Sequence, residues 1–171
     1  TAETVSDVYG NMLYYRDISG TSSTYVYNDD REQIGFTMKD AAGSVILYVR
    51  VKADDQGRES SVTVNGNEVA SVAYQQSTGL ADTITYPGDV KLQYRYDARK
   101  SPDKLTITGP HHASIVHSLT KNDVGRIMGS TINVDGPVTF NEARSYEYNN
   151  DNRLTRSVIT TNGNDQDRKS T

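Results

Sequence analysis

The side chains of this sequence that could do chemistry are three histidines, sixteen aspartates, six glutamates and twelve tyrosines; there is no cysteine. His111, His112 and His117 raise a metal reading. On an extended strand, 111 and 117 would lie ~20 Å apart, too far to share one ion. A turn after Gly109-Pro110 could fold them together, with Asp123 as a further ligand. Polar strand and turn positions are the simpler account of all three. The acidic stretches Asp29-Asp30, Asp54-Asp55 and 149–152 offer oxygen ligands for calcium, but they lack the spacing and the closing Glu of an EF-hand loop, so turn formation is preferred. No Gly-x-Ser-x-Gly elbow and no phosphate loop is present. Carboxylates are so plentiful that a chance pair in space carries no information. Without cysteine there is no thiolate nucleophile, no thiolate zinc site and no disulfide framework. The sequence thus predicts no catalytic residue, no metal and no cofactor.

The elements that would position these groups are strands. Val, Ile, Leu and Phe make up about a fifth of the 171 residues, near the composition at which chains become disordered, but a net charge of −4 is too small to drive the chain apart. Eighteen Thr, sixteen Ser, twelve Asn, twelve Tyr and thirteen Gly accompany them. Thr, Val, Ile and Tyr suit a pleated surface, and Asn, Asp and Gly suit tight turns. The acidic balance leaves no basic field for counterion release, so nucleic acid is excluded as a partner. Val45-Ile46-Leu47-Tyr48-Val49 is among the longest apolar runs, so neither a membrane helix nor a signal segment is predicted. The chain begins at Thr1 rather than Met, as a processed or excised piece would.

Turn signals recur every 10 to 14 residues, from Asp17-Ile18-Ser19-Gly20 through Asn28-Asp29-Asp30, Asp40-Ala41-Ala42-Gly43, Asp54-Asp55-Gln56-Gly57, Asn65-Gly66 and Pro87-Gly88-Asp89 to Asn162-Gly163. Asn-Gly and Asp-Gly accept the positive φ of two-residue hairpins. Between turns the pattern has period two. Leu92, Tyr94 and Tyr96 alternate with Gln93 and Arg95, Leu105 and Ile107 with Thr106 and Thr108, and Val62 and Val64 with Ser61 and Thr63. This predicts an all-β chain, a meander of about a dozen antiparallel strands. So wide a sheet must curl, split or close. The scarcity of apolar residues favours a curved single layer over a sandwich, which needs two apolar inner faces. Its edge strands would be open to self-association or to further strands.

A longer period overlies this rhythm. The pattern Tyr-x-Tyr-Asp-x-x-Gly-Arg-Leu is cleanest from Tyr146 to Leu154, where Tyr146, Tyr148, Asn149, Asn152 and Arg153 fill its slots. Tyr94, Tyr96 and Asp97 open a second copy, and Tyr74 with Gly79 a third whose turn is one residue longer. Weaker copies carry Tyr25, Tyr27 and Asn28; Asp54, Gly57 and Arg58; and Asn122, Gly125 and Arg126. Successive Asp-equivalent positions lie 21 to 27 residues apart, which marks a repeat architecture. The turn Asp or Asn and the following Arg are expected to brace the hairpin, and the tyrosines to supply packing area where aliphatics are scarce. Exposed tyrosines stacking on sugars, in a carbohydrate or cell-surface binding module, are the alternative reading.

These repeats, with the Tyr86-Pro87-Gly88 turn between copies, resemble the YD repeats of RHS-type proteins. The resemblance is clearest over 25–163, starts weakly at Tyr14-Tyr15-Arg16-Asp17, and makes 1–171 a single array segment ending in a polar tail, 164–171. In bacterial polymorphic toxins and in Tc-toxin B and C components, such arrays form spiral β-shells around a toxic polypeptide. The resemblance therefore implies a non-enzymatic, secreted or extracellular wall segment, partnered by the remaining repeats and an enclosed toxin chain, with no membrane insertion of its own. The aspartyl autoprotease of those families is recognised by Asp-Pro motifs, and none of the four prolines here follows Asp. The absence of any Asn-x-Ser/Thr sequon leans towards a bacterial source.

Overall fold

A computed structural model describes residues 1–110, 113–162 and 164–169. His111 and His112, and with them the histidine metal reading, lie outside the described residues. Fifteen strands follow one another: β1 (Glu3–Ser6), β2 (Met12–Arg16), β3 (Ser22–Tyr27), β4 (Gln33–Lys39), β5 (Val45–Ala53), β6 (Glu59–Val64), β7 (Asn67–Tyr74), β8 (Ala81–Tyr86), β9 (Val90–Tyr96), β10 (Pro102–Thr108), β11 (Ser114–Lys121), β12 (Ile127–Asp135), β13 (Phe140–Tyr148), β14 (Leu154–Thr161) and β15 (Asn164–Lys169). The protein is all-β, and no α-helix occurs among the described residues. The chain divides into two compact units, Thr1–Val72 and Ala73–Thr171. Within each, successive strands pair antiparallel in chain order.

One of the turns is disguised in the sequence. Asp7-Val8-Tyr9-Gly10 joins β1 to β2 with Val8 91% and Tyr9 65% exposed, so two apolar residues occupy a tip that composition would assign to a strand. At the other end of the chain, residues 164–169 of the polar tail form β15 and pair with β14.

Register sorts the side chains into two faces. In the second unit one row runs Ile84, Leu92, Ile107, Ile115, Val134, Phe140 across six strands. The next row on the same face runs Tyr94, Leu105, His117, Ile132. The opposite face carries Thr83, Gln93, Thr106, Val116, Asn133 and Asn141 in register. The first unit repeats the scheme with Tyr25, Phe36, Val49 and Val64. Tyr25 and Phe36 stack with ring centroids 6.2 Å apart. This alternation is period two made physical: a slip of one residue would exchange the faces. The apolar face remains partly solvated, since no hydrophobic side chain among the described residues is buried.

Candidate functional site

The repeated element of the sequence is a turn with one geometry. At Asp7, Asp17, Asn28, Asp40, Asp54, Asp97, Asn122 and Asn149 the first residue's N–H donates to the carbonyl of the fifth at 2.8–3.0 Å. The fourth residue's N–H donates to the carbonyl of the first at 2.8–3.2 Å. The first residue's Oδ1 then accepts the N–H of the fifth in all eight. The short Asp or Asn side chain thus copies a main-chain acceptor and closes the loop from inside. The fourth residue has positive φ, supplied by Gly10, Gly20, Gly43, Gly57 and Gly125, but by Arg31, Lys100 and Asn152 in the other three. A register shift immediately precedes most of these turns, as at Val26/Tyr27, Lys52/Ala53, Thr120/Lys121 and Glu147/Tyr148. This is the three-residue hairpin loop with its accompanying bulge. The Gln75 turn is one residue longer, with Gln75 N–H bonded to the Leu80 carbonyl and Gly79 at φ 73°.

The tyrosines before these turns have a second task. The hydroxyls of Tyr27, Tyr96 and Tyr148 donate to the carbonyls of Met12, Ala81 and Ile127 at 2.9, 2.8 and 3.0 Å. Each acceptor is the first residue of the preceding strand, so each hydroxyl pins a strand end across one ladder. Burial pushes the Tyr96 phenol up, and Tyr94 and Asp82 add to the rise. Tyr94 lies beside Tyr96 with centroids 6.4 Å apart, and Tyr146 lines a groove with Tyr148. Tyr74 ends β7, half-buried beside the longer turn.

The arginines do not all behave alike. Arg58 turns back on its own loop, its Nε and Nη2 donating to Asp54 Oδ2 at 2.8 and 2.6 Å. That contact, with the Arg58 and Gln56 amides, holds the Asp54 carboxyl below its ordinary range against a smaller upward push from burial. Arg126 instead donates to Asn152 Oδ1 of the neighbouring turn and lies 4.8 Å over the Tyr148 ring. Arg153 is exposed, and its main chain closes the loop, its N–H donating to Asn149 Oδ1 and its carbonyl accepting the Asn149 N–H. Lys121 carries no signal in the repeat pattern, yet its Nζ donates to Asp97 Oδ2, Ser101 Oγ and the Pro102 carbonyl at 3.0, 2.7 and 2.8 Å. Lys121 is the first cause of the lowered Asp97 carboxyl, followed by the Ser101 amide. Asp17 is lowered chiefly by the Ser19 hydroxyl. At Asp7 burial pushes up, and the Asn11, Tyr9 and Gly10 donors outweigh it.

Shallow grooves open on the apolar face of the second unit. One of about 450 Å³ is lined by His117, Leu119, Ile132, Arg144, Tyr146 and Tyr148. Another, of about 380 Å³, is almost wholly apolar and includes Ile107, Ile115, Val134, Pro137 and Val138. His117 stands in register between Leu105 and Ile132. Among the described residues no group of three or more His, Asp or Glu side chains is placed to hold a metal ion.

No family model and no curated protein matches the sequence. Solved structures do match. The chain superposes on a crystal structure of TcdB2-TccC3-Cdc42 with a TM-score of 0.72 and 14% identity, over 98% of this chain and 9% of that one. The fold is that of a segment of the TcdB2-TccC3 chains. A crystal structure of TcdB2-TccC3-TEV gives a TM-score of 0.71 at 14% identity, over 98% of this chain and 10% of that one. A Tc holotoxin pore from Photorhabdus luminescens with a substituted TccC3 also gives 0.71 at 14% identity, with 98% and 9% covered. The chain therefore spans a tenth or less of the length of these solved TcdB2-TccC3 chains.

Proposed function

We propose that this chain, 1–171, is a non-enzymatic wall segment of an RHS/YD-type shell, whose sheet helps to enclose and shield a toxin polypeptide. The observation that carries the reading is the superposition of nearly the whole chain on a small part of TcdB2-TccC3 chains, by a sheet that repeats one hairpin unit. A continuous antiparallel ladder makes a barrier without any reactive group. Its half-solvated apolar face offers an enclosed chain a surface that tolerates unfolded, mixed sequence. Further repeats of the parent protein and the enclosed polypeptide are the partners, and a secreted bacterial toxin is the setting. The repeat residues Tyr25, Tyr27, Asn28, Asp54, Gly57, Arg58, Tyr74, Gly79, Tyr94, Tyr96, Asp97, Asn122, Gly125, Arg126, Tyr146, Tyr148, Asn149, Asn152 and Arg153 serve the wall and not a ligand. Sugar recognition is disfavoured by the hydroxyls of Tyr27, Tyr96 and Tyr148, which are committed to main-chain carbonyls.

The test places a photocrosslinking residue in the parent protein at Ile107 or Ile115 on one face, and at Thr106 or Val116 on the other. Crosslinks to an enclosed polypeptide from one face only are the expected result. Crosslinks from neither face, or glycan-array binding abolished by Tyr94→Ala, would overturn the reading.

A further inference from the structure

We propose that turns at one end of each unit are latched to one another, so that a hairpin is held shut by a side chain from its neighbour. The loops following β1, β3 and β5 lie at the same end of the first unit, and those following β9, β11 and β13 at one end of the second. Neighbours in each set are two strands apart, ~10 Å, within reach of a long side chain.

Three contacts span that gap. In the first unit the Arg31 guanidinium lies 3.8 Å over the Tyr9 ring, joining the Asn28 loop to the Asp7 loop. In the second, Lys121 at the foot of the Asn122 loop donates to Asp97 Oδ2, Ser101 Oγ and the Pro102 carbonyl. It is the more enclosed partner, with its side chain 11% exposed. Arg126 of the same loop then reaches Asn152 of the Asn149 loop. A chain of contacts thus runs from Asp97 through Lys121 and Arg126 to Asn152. Arg99 adds a steric tie, since a Cβ on Gly125 would sit 2.9 Å from Arg99 Nη1.

The backbone supplies an independent sign. Glycine fills the positive-φ slot in three of these six loops, Gly10, Gly57 and Gly125, and a bulky non-glycine residue there is strained. Arg31 at φ 67° and Asn152 at φ 67° occupy it nonetheless, and both make inter-loop contacts from it. Strain that persists where a side chain couples two elements points to the coupling as its reason. The loops of an unlatched meander would open one at a time; latched loops share their protection.

Hydrogen exchange on the whole chain tests this. Asn152→Gly places the best residue in the strained slot and removes only the acceptor for Arg126. Exchange at the amides of 122–126, in the neighbouring loop, is expected to rise about tenfold. Lys121→Met is expected to raise exchange at 97–101 by a similar factor. Asp40→Ala, which opens a loop of the first unit that none of these contacts touches, is expected to leave both stretches unchanged. If Asn152→Gly and Lys121→Met alter exchange only within their own loops, while the strand amides stay protected, the hairpins open independently and the proposal is wrong.

Discussion

Replacing tyrosine by phenylalanine at 27, 96 and 148 removes three oxygen atoms and leaves the rings, the register and the turns in place. Each change deletes one O–H···O=C bond of 2.8–3.0 Å between the end of a strand and the start of the one before it. A neutral hydrogen bond contributes about 0.5–1.5 kcal/mol. The Tyr96–Ala81 bond is partly buried, so water cannot replace it freely and Tyr96→Phe is expected at the upper end, about 1–1.5 kcal/mol. The Tyr27 and Tyr148 bonds are exposed, and water can take over their carbonyls, which puts those changes nearer 0.5 kcal/mol. Tyr25→Phe and Tyr94→Phe are the controls, because among the described residues their hydroxyls carry no such bond. Urea titration at pH 7 reads the differences, and for a chain of this size 1 kcal/mol corresponds to about 2–4 °C in Tm. If Tyr96→Phe matched the wild type, or if Tyr94→Phe cost as much as Tyr96→Phe, the hydroxyl would have no role as a strand pin.

The turn carboxylates Asp7, Asp17, Asp54 and Asp97, all lowered in the folded chain, should contribute to the acid limb of stability. Asp97 has a folded pKa below its unfolded value, so its contribution is complete above the ordinary carboxylate range near 3.8 and is lost as pH falls through the lower folded value. Asp97→Asn keeps the turn acceptor and should make denaturation midpoints between pH 2 and pH 4 less steep; an unchanged acid profile would exclude Asp97 as the titrating group. Lys100→Gly relieves a positive φ of 62° and should stabilise by about 1 kcal/mol in a thermal melt; destabilisation would mean that the Lys100 side chain is needed. Gly57→Ala places a Cβ in open space at φ 79°, so its expected loss of about 1 kcal/mol is wholly a backbone effect, and a neutral result in urea titration would contradict the turn geometry.

Much of the fold was legible because its signals are local. Asn65-Gly66 and Asp54-Asp55-Gln56-Gly57 announce turns through residues that accept positive φ, and Leu92, Tyr94 and Tyr96 announce a half-buried face by alternation. The turn at Asp7 stayed hidden because Val8 and Tyr9 are apolar yet exposed. The loop at Asp40 has the same bonds as the repeat copies but, with no tyrosine pair beside it, stands outside the repeat pattern, and the Asp17 loop is marked only by the weak start at Tyr14-Tyr15-Arg16-Asp17. Arg58 and Arg126 occupy one slot of the motif and were read alike, but one closes on its own Asp54 and the other reaches Asn152. Lys121 left no trace at all, since its acceptors lie 19 to 24 residues away. A motif specifies what a residue does within its own loop; contacts between loops depend on strand count and stagger, which no short window contains.

The apolar face that stays half wet has a thermodynamic consequence. Heat capacity rises on unfolding in proportion to the apolar area newly hydrated, and a sheet in which no hydrophobic side chain among the described residues is fully withdrawn from solvent has less such area to expose than a sheet over a closed core. Its free energy of unfolding should therefore bend only gently between cold and heat, below the ordinary 12–15 cal/mol/K for each residue, roughly. A sheet of this kind should hold its shape over a broad span of temperature without being strongly stable at any one of them.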